Sequence, residues 1–133
     1  MTTDAILEII LKNALPIIHG RYKQEITIKD GFNKLRIENV KTWAFILDCA
    51  LNRFPAGTRT GDVFRCLYFS GLTNAQVIEK LRMPRQKFFN AKDKIKTFIL
   101  AGACQCHIWH VISPDMARDF TIETSCPESI PQS

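Results

Sequence analysis

The sequence predicts a mainly α (α+β) fold: a helix-turn-helix, a β-hairpin after its second helix in the position of a wing, and a small N-terminal helical subdomain. Three observations predict it. A Thr-x-x-Gln capping pattern at Thr73 opens a short amphipathic helix. Arg82-Met83-Pro84 then ends that helix and starts a longer one within about three residues. Finally, positive charge gathers in this one stretch: residues 80–96 hold seven Lys or Arg against Asp93 alone, whereas the whole chain is only +5.

With 46% apolar residues the chain has material for a core. It contains no run of 18 apolar residues, and Asp4 and Glu8 stand where a signal peptide carries positive charge, so the expectation is a cytoplasmic protein with no membrane partner. The five cysteines are odd in number and scattered, which favours reduced thiols, and the neighbours of three suggest ordinary burial.

In chain order, Asp4 to His19 reads as a helix with Ile6, Ile9, Ile10 and Leu15 on one face, ended or kinked near Ala14 by Pro16. Between Glu25 and Ile37 a loose alternation surrounds Asp30-Gly31, a dipeptide suited to a two-residue hairpin turn. Asn39 is placed to cap a helix carrying Val40, Trp43, Leu47, Ala50, Leu51 and Phe54, which Pro55-Ala56-Gly57 ends. Trp43 and Phe54 read as core. The Pro, Gly and Thr content of residues 55–61 marks a linker or exposed loop. A short helix with Val63, Phe64, Leu67 and Tyr68 follows, stopped at Ser70-Gly71. These signals divide the chain into an N-terminal helix/hairpin/helix subdomain (1–57) suited to self-association, a helix-turn-helix unit with a hairpin in the place of a wing (58–125), and a tail (126–133).

The first helix of the pair is specified at its start. Thr73 and Gln76 can exchange hydrogen bonds with each other's backbone N–H, and Leu72 can staple onto Val77. The second helix is predicted from Pro84 to about Leu100, with Phe88, Ala91, Ile95, Phe98 and Ile99 as its apolar stripe and Gly102 as its stop. If Phe88 faces inward, Arg85, Gln86 and Asn90 face outward on the first turns. Those side chain types make paired hydrogen bonds to guanine or adenine in the major groove. Thr73, Lys80, Arg82, Lys87, Lys92, Lys94 and Lys96 would then bind phosphate, giving affinity without sequence preference. A solvated helix face is the other reading of the same charge.

The stretch from Cys66 to Asn90, with its Gly71-Leu72-Thr73 entry, Val77-Ile78…Leu81 helix and aromatic Phe88, resembles the helix-turn-helix of sigma-region-4-like regulators. It is most similar to phage late-gene activators of the ArpU and RinA type and to PapB-like fimbrial regulators. The likeness covers about residues 62–100. Pro84 stands where those families carry a small polar cap. The resemblance implies a regulator that binds double-stranded DNA.

Beyond Gly102, two β-prone runs surround Ser113-Pro114-Asp115 and read as a hairpin, either a wing whose Arg118 reaches the DNA backbone or minor groove or a hairpin that only covers the core. Cys104, Cys106, His107 and His110 lie within seven residues and hint at zinc. Yet a distant second ligand pair is missing, and a strand would put His107 on the opposite face from the other three, so buried thiols and a surface histidine are the reading, with no metal and no cofactor. No glycine-rich phosphate loop, paired carboxylate or nucleophile elbow occurs, and no enzyme activity is expected. Too few base pairs are touched by one short recognition helix, so a homodimer on two half-sites is expected. The rival is a sigma-like module that docks on RNA polymerase or another regulator without DNA specificity of its own.

Overall fold

Apolar spacing decides which segments become helices, and local backbone chemistry decides where they stop. A computed structural model describes residues 2–31, 33–109 and 119–122. It is mostly helical, with a small sheet. Helix α1 (Thr3–Lys12) starts at Thr2, whose hydroxyl accepts from the Ala5 N–H at 3.1 Å. It breaks at Asn13, and α2 (Ala14–His19) holds Pro16 in its first turn, where a missing donor costs little. Of the two outcomes expected near Ala14, an end or a kink, the chain takes the first.

Strands β1 (Glu25–Asp30) and β2 (Asn33–Glu38) form the expected antiparallel hairpin. Asp30 pairs with Asn33, so the two-residue loop begins at Gly31, one position later than the sequence suggested. Register explains the shift. Pairing Ile28 with Leu35 and Ile26 with Ile37 gathers the apolar side chains on one face, and a slip of one residue would expose them. Gly31 accepts the positive φ of 62° that the loop then requires.

Helix α3 (Val40–Arg53) buries Val40, Trp43, Ala44, Ile46, Leu47 and Ala50. Its predicted cap, Asn39, bounds the helix differently: the residue is left-handed (φ 55°) and its side chain makes no capping hydrogen bond. The loop after α3 is exposed but tied down. Thr58 accepts from the Gly61 N–H at 3.1 Å and donates to the Pro55 carbonyl at 2.6 Å, starting α4 (Arg59–Phe64). Behind it, Arg65 donates to the carbonyls of Phe54 (2.6 Å), Gly61 (3.1 Å) and Leu51 (3.1 Å), binding the end of α3 to α4. At Gly61 a Cβ would lie 1.9 Å from the Pro55 carbonyl oxygen, so only glycine fits there. A π-helical turn (Arg65–Phe69) leads on to α5 (Asn74–Leu81) and α6 (Arg85–Gln105).

One buried cluster draws Ile10 and Leu11 from α1, Trp43 and Leu47 from α3, Phe64 from α4 and Phe88, Ile95 and Ile99 from α6. Residues on both sides of position 57 therefore share a core, at about 25 cal/mol per Å² of apolar area removed from water.

The end of α6 departs from expectation. Gly102 does not stop it; the helix continues to Gln105, and a Cβ at Gly102 would sit 3.1 Å from Ile46 Cγ2. That glycine serves the close approach of α6 to α3. Cys104 is therefore helical, Cys106 caps the helix, and His107 turns the chain in a left-handed conformation (φ 59°). The other expected strand, β3 (Asp119–Ile122), lies parallel to β2, from Lys34 opposite Asp119 to Ile37 opposite Ile122. So the described parts of the two β-prone runs do not pair as a wing. The first closes a helix, and the second extends the N-terminal hairpin. His110 and Arg118, like Cys126, lie outside the described residues.

Candidate nucleic-acid interface

The turn between α5 and α6 is built by local hydrogen bonding. Thr73 Oγ1 accepts from the Gln76 N–H at 3.2 Å, and the Thr73 N–H donates to Gln76 Oε1 at 2.9 Å, which completes the capping box. Val77 is fully buried and Leu72 half-buried on the same core, as the staple requires. Arg82 then adopts a left-handed conformation (φ 49°), and the Met83 N–H returns to the Ile78 carbonyl at 3.2 Å. Pro84 is extended and occupies the cap of α6, one position before the first-turn place predicted for it. With Pro84 as cap, no side chain there satisfies the first amides of α6.

Helix α6 is sorted around its axis. Phe88, Ile95 and Ile99 are 0% exposed, whereas Arg85, Gln86, Lys87 and Asn90 are open to solvent. Gln86 Nε2 donates to Asn90 Oδ1 at 2.9 Å, one helical turn away. The Arg85 guanidinium lies 5.1 Å from the centre of the Phe89 ring, which supports it from behind. These three side chains thus stand at the exposed N-terminal end of one rigid element.

The predicted phosphate ligands separate into two groups. Lys80, Arg82, Lys87 and Lys94 are exposed and have no acidic partner among the described residues. Thr73 is exposed too, but its oxygen is engaged in the cap and only its hydroxyl proton is left to offer. Lys92 and Lys96 behave differently. Lys96 Nζ sits 2.9 Å from both Asp4 Oδ1 and Glu8 Oε1, and Lys92 Nζ sits 3.7 Å from Glu8 Oε1. Lys92 is only 8% exposed, over the rings of Phe88 and Phe89. Contrary to the expectation that they bind phosphate, these two lysines join α6 to α1.

That junction is electrically closed. Burial acts to raise the Glu8 carboxyl, but the Lys96 hydrogen bond, the two lysine charges and the Tyr68 hydroxyl at 3.0 Å outweigh it and hold the carboxyl below its ordinary value. Burial first, and then the neighbouring Glu8 charge, push the Tyr68 phenol well up. For Lys96 burial pulls downward, and the hydrogen bonds to Glu8 and Asp4 overcome it, raising the ammonium.

On the outer side, a groove runs between the 53–60 loop and α6. Its wider part, about 720 Å³, is lined by Arg53, Phe54, Thr58, Lys94, Thr97 and Phe98. A narrower cleft of about 330 Å³ continues it past Arg59, Thr60, Lys87 and Asn90. Arg53 and Arg59 were not among the sequence candidates, because a charge count along one segment does not see cations that a loop folds back beside it.

The cysteines and histidine that hinted at zinc do not come together as a ligand set among the described residues. Cys104 is exposed on the last turn of α6 and Cys106 is half-buried beyond it; no group of three His, Cys, Asp or Glu residues is placed to hold a metal. Cys49 and Cys66 are half-buried as well, so burial of the thiols is only partial. No described helix is long and apolar enough to cross a membrane. In comparison with known proteins, the chain matches no family model, no curated protein and no solved structure.

Proposed function

We propose that this chain is a sequence-specific regulator that binds double-stranded DNA by laying the first turns of α6 in the major groove. The observation that carries the reading is the sorting of α6: Phe88 is wholly buried, while Arg85, Gln86 and Asn90 stand exposed among Arg82, Lys87 and Lys94. A helix in the major groove reads base edges with its first turns and meets phosphate along its flanks. The hydrogen bond between Gln86 and Asn90 leaves Gln86 Oε1 free to accept and Asn90 Nδ2 free to donate. Adenine offers the complement, an N6 donor beside the N7 acceptor, and the Arg85 guanidinium suits the two acceptors of guanine.

Lys80, Arg82, Lys87, Lys94 and the Thr73 hydroxyl supply phosphate contacts. Two copies on two half-sites provide the contact length that one recognition helix lacks. The reading calls for no cofactor.

Selection of binding sites from random duplex DNA, followed by titrations on the enriched site, tests it. Arg85→Ala or Gln86→Ala should each reduce discrimination at one base pair by about 1–3 kcal/mol, while Lys94→Ala weakens binding to all sequences alike. If those changes leave DNA binding intact but abolish a contact with RNA polymerase or another regulator, the docking-module alternative replaces this one.

A further inference from the structure

Two lysines of the basic segment are spent inside the molecule, yet the groove beside α6 is more basic than α6 alone would make it. Arg53, the last residue of α3, and Arg59, the first of α4, bring charge to its opposite wall. Both are exposed, and neither has an acidic partner among the described residues. Arg53 is held from behind, and the backbone that carries Arg59 is fixed. The Arg53 guanidinium lies 5.5 Å from the centre of the Phe54 ring, and Arg59 opens a helix whose start is fastened by the Thr58 cap and the Arg65 clamp.

Acids along this groove are few. Asp93 lines it, and Asp62, near Arg59, already accepts from the Gly57 N–H at 2.9 Å. Against Asp93 stand Arg53, Arg59, Lys87 and Lys94, with Thr60 and Thr97 also lining the groove. The groove follows α6 from Lys87 to Ala101, about 21 Å at 1.5 Å per residue. Phosphates of one strand advance about 3.4 Å each along a duplex, so several fit within that length.

We infer that this groove is a phosphate track, in which one strand's sugar–phosphate backbone lies between the 53–60 loop and α6, with Arg53 and Arg59 facing Lys87 and Lys94 across it. The inference rests on the DNA-binding reading of α6 and adds to it what sets the helix's depth and register. Contacts from two walls hold a backbone in place more firmly than lysines on one helix, because arginine grips phosphate through two N–H groups at once.

The test is the salt dependence of binding by the full chain to a random-sequence duplex, followed by fluorescence anisotropy from about 50 to 200 mM salt. Arg53→Gln and Arg59→Gln should each weaken binding about three- to tenfold, equally on every sequence, and lower the slope of log affinity against log salt by about one. Arg59→Lys should keep the slope. If Lys87→Gln and Lys94→Gln lower it but Arg53→Gln and Arg59→Gln do not, the track is refuted and the reading of α6 stands. If the unaltered protein shows no salt-dependent duplex binding, both fall. Melting curves that match the unaltered protein confirm that Arg53→Gln and Arg59→Gln, at exposed positions, report contact and not unfolding.

Discussion

The two flanks of α6 carry lysine in equal number and put it to opposite use. Lys92 and Lys96 turn toward α1 and meet Glu8 and Asp4, acids more than eighty residues away in sequence. Lys87 and Lys94 turn toward the 53–60 loop and meet no acid among the described residues. Two residues, about 200° around the helix axis, separate Lys94 from Lys92 and from Lys96. The difference teaches that a basic segment is not a basic surface: a lysine's role depends on what another part of the chain brings to its side of the helix.

The strongest way to break this comparison is to remove the side chain that orients both flanks. Phe88→Ala should cost about 3–5 kcal/mol of stability, read from the denaturant midpoint, because the ring is fully buried and its loss leaves a cavity. With it the fixed outward direction of Gln86 and Asn90 should weaken. A cost below about 1 kcal/mol would mean that Phe88 does not hold the helix in place.

Glu8→Ala asks what the inner flank contributes. It leaves Lys92 and Lys96 part-buried with only exposed Asp4 as counter-charge, and should cost about 2–3 kcal/mol. The same network gives the pH dependence its sign. Because the folded Glu8 carboxyl lies below its ordinary 4.5, its contribution is present above that pH and is lost as acid takes the solution down through the lowered value. Lys96 and Tyr68 are raised, so theirs is present in neutral solution and lost as pH climbs past about 10. Urea midpoints across pH should fall at both ends, and Glu8→Gln should flatten the acid side.

Lys94→Ala is the matching change on the outer flank and should be the mildest, shifting stability by under about 0.5 kcal/mol because nothing in the fold depends on that ammonium. A larger loss, measured in the same urea series, would place Lys94 in the fold after all and erase the contrast with Lys92.

Much of the site could be read from short-range signals. The Thr73–Gln76 box and the Leu72–Val77 staple involve residues within a few positions of one another, so their chemistry is written in adjacent letters. Burial of Phe88, Ala91, Ile95 and Ile99 followed from helical periodicity in the same way. Where the reading slipped, a distant contact had intervened. Gly102 looks like a helix stop until Ile46 is seen packed against it, and Asn39 looks like a side-chain cap until its backbone turns left-handed between β2 and α3. The second β-prone run found a partner in β2, some 85 residues back.

The amino-acid order by itself determined the helices, the capped start of α5, the break before α6 and the inward face of Phe88, because each depends on interactions spanning one or two turns of chain. Only the tertiary structure decided which lysines remain free, which glycine admits a neighbouring helix, and that Arg53 and Arg59 join the basic face. Those outcomes depend on pairs of groups far apart along the chain, whose meeting is settled by packing of the common core and leaves no periodic trace in either segment.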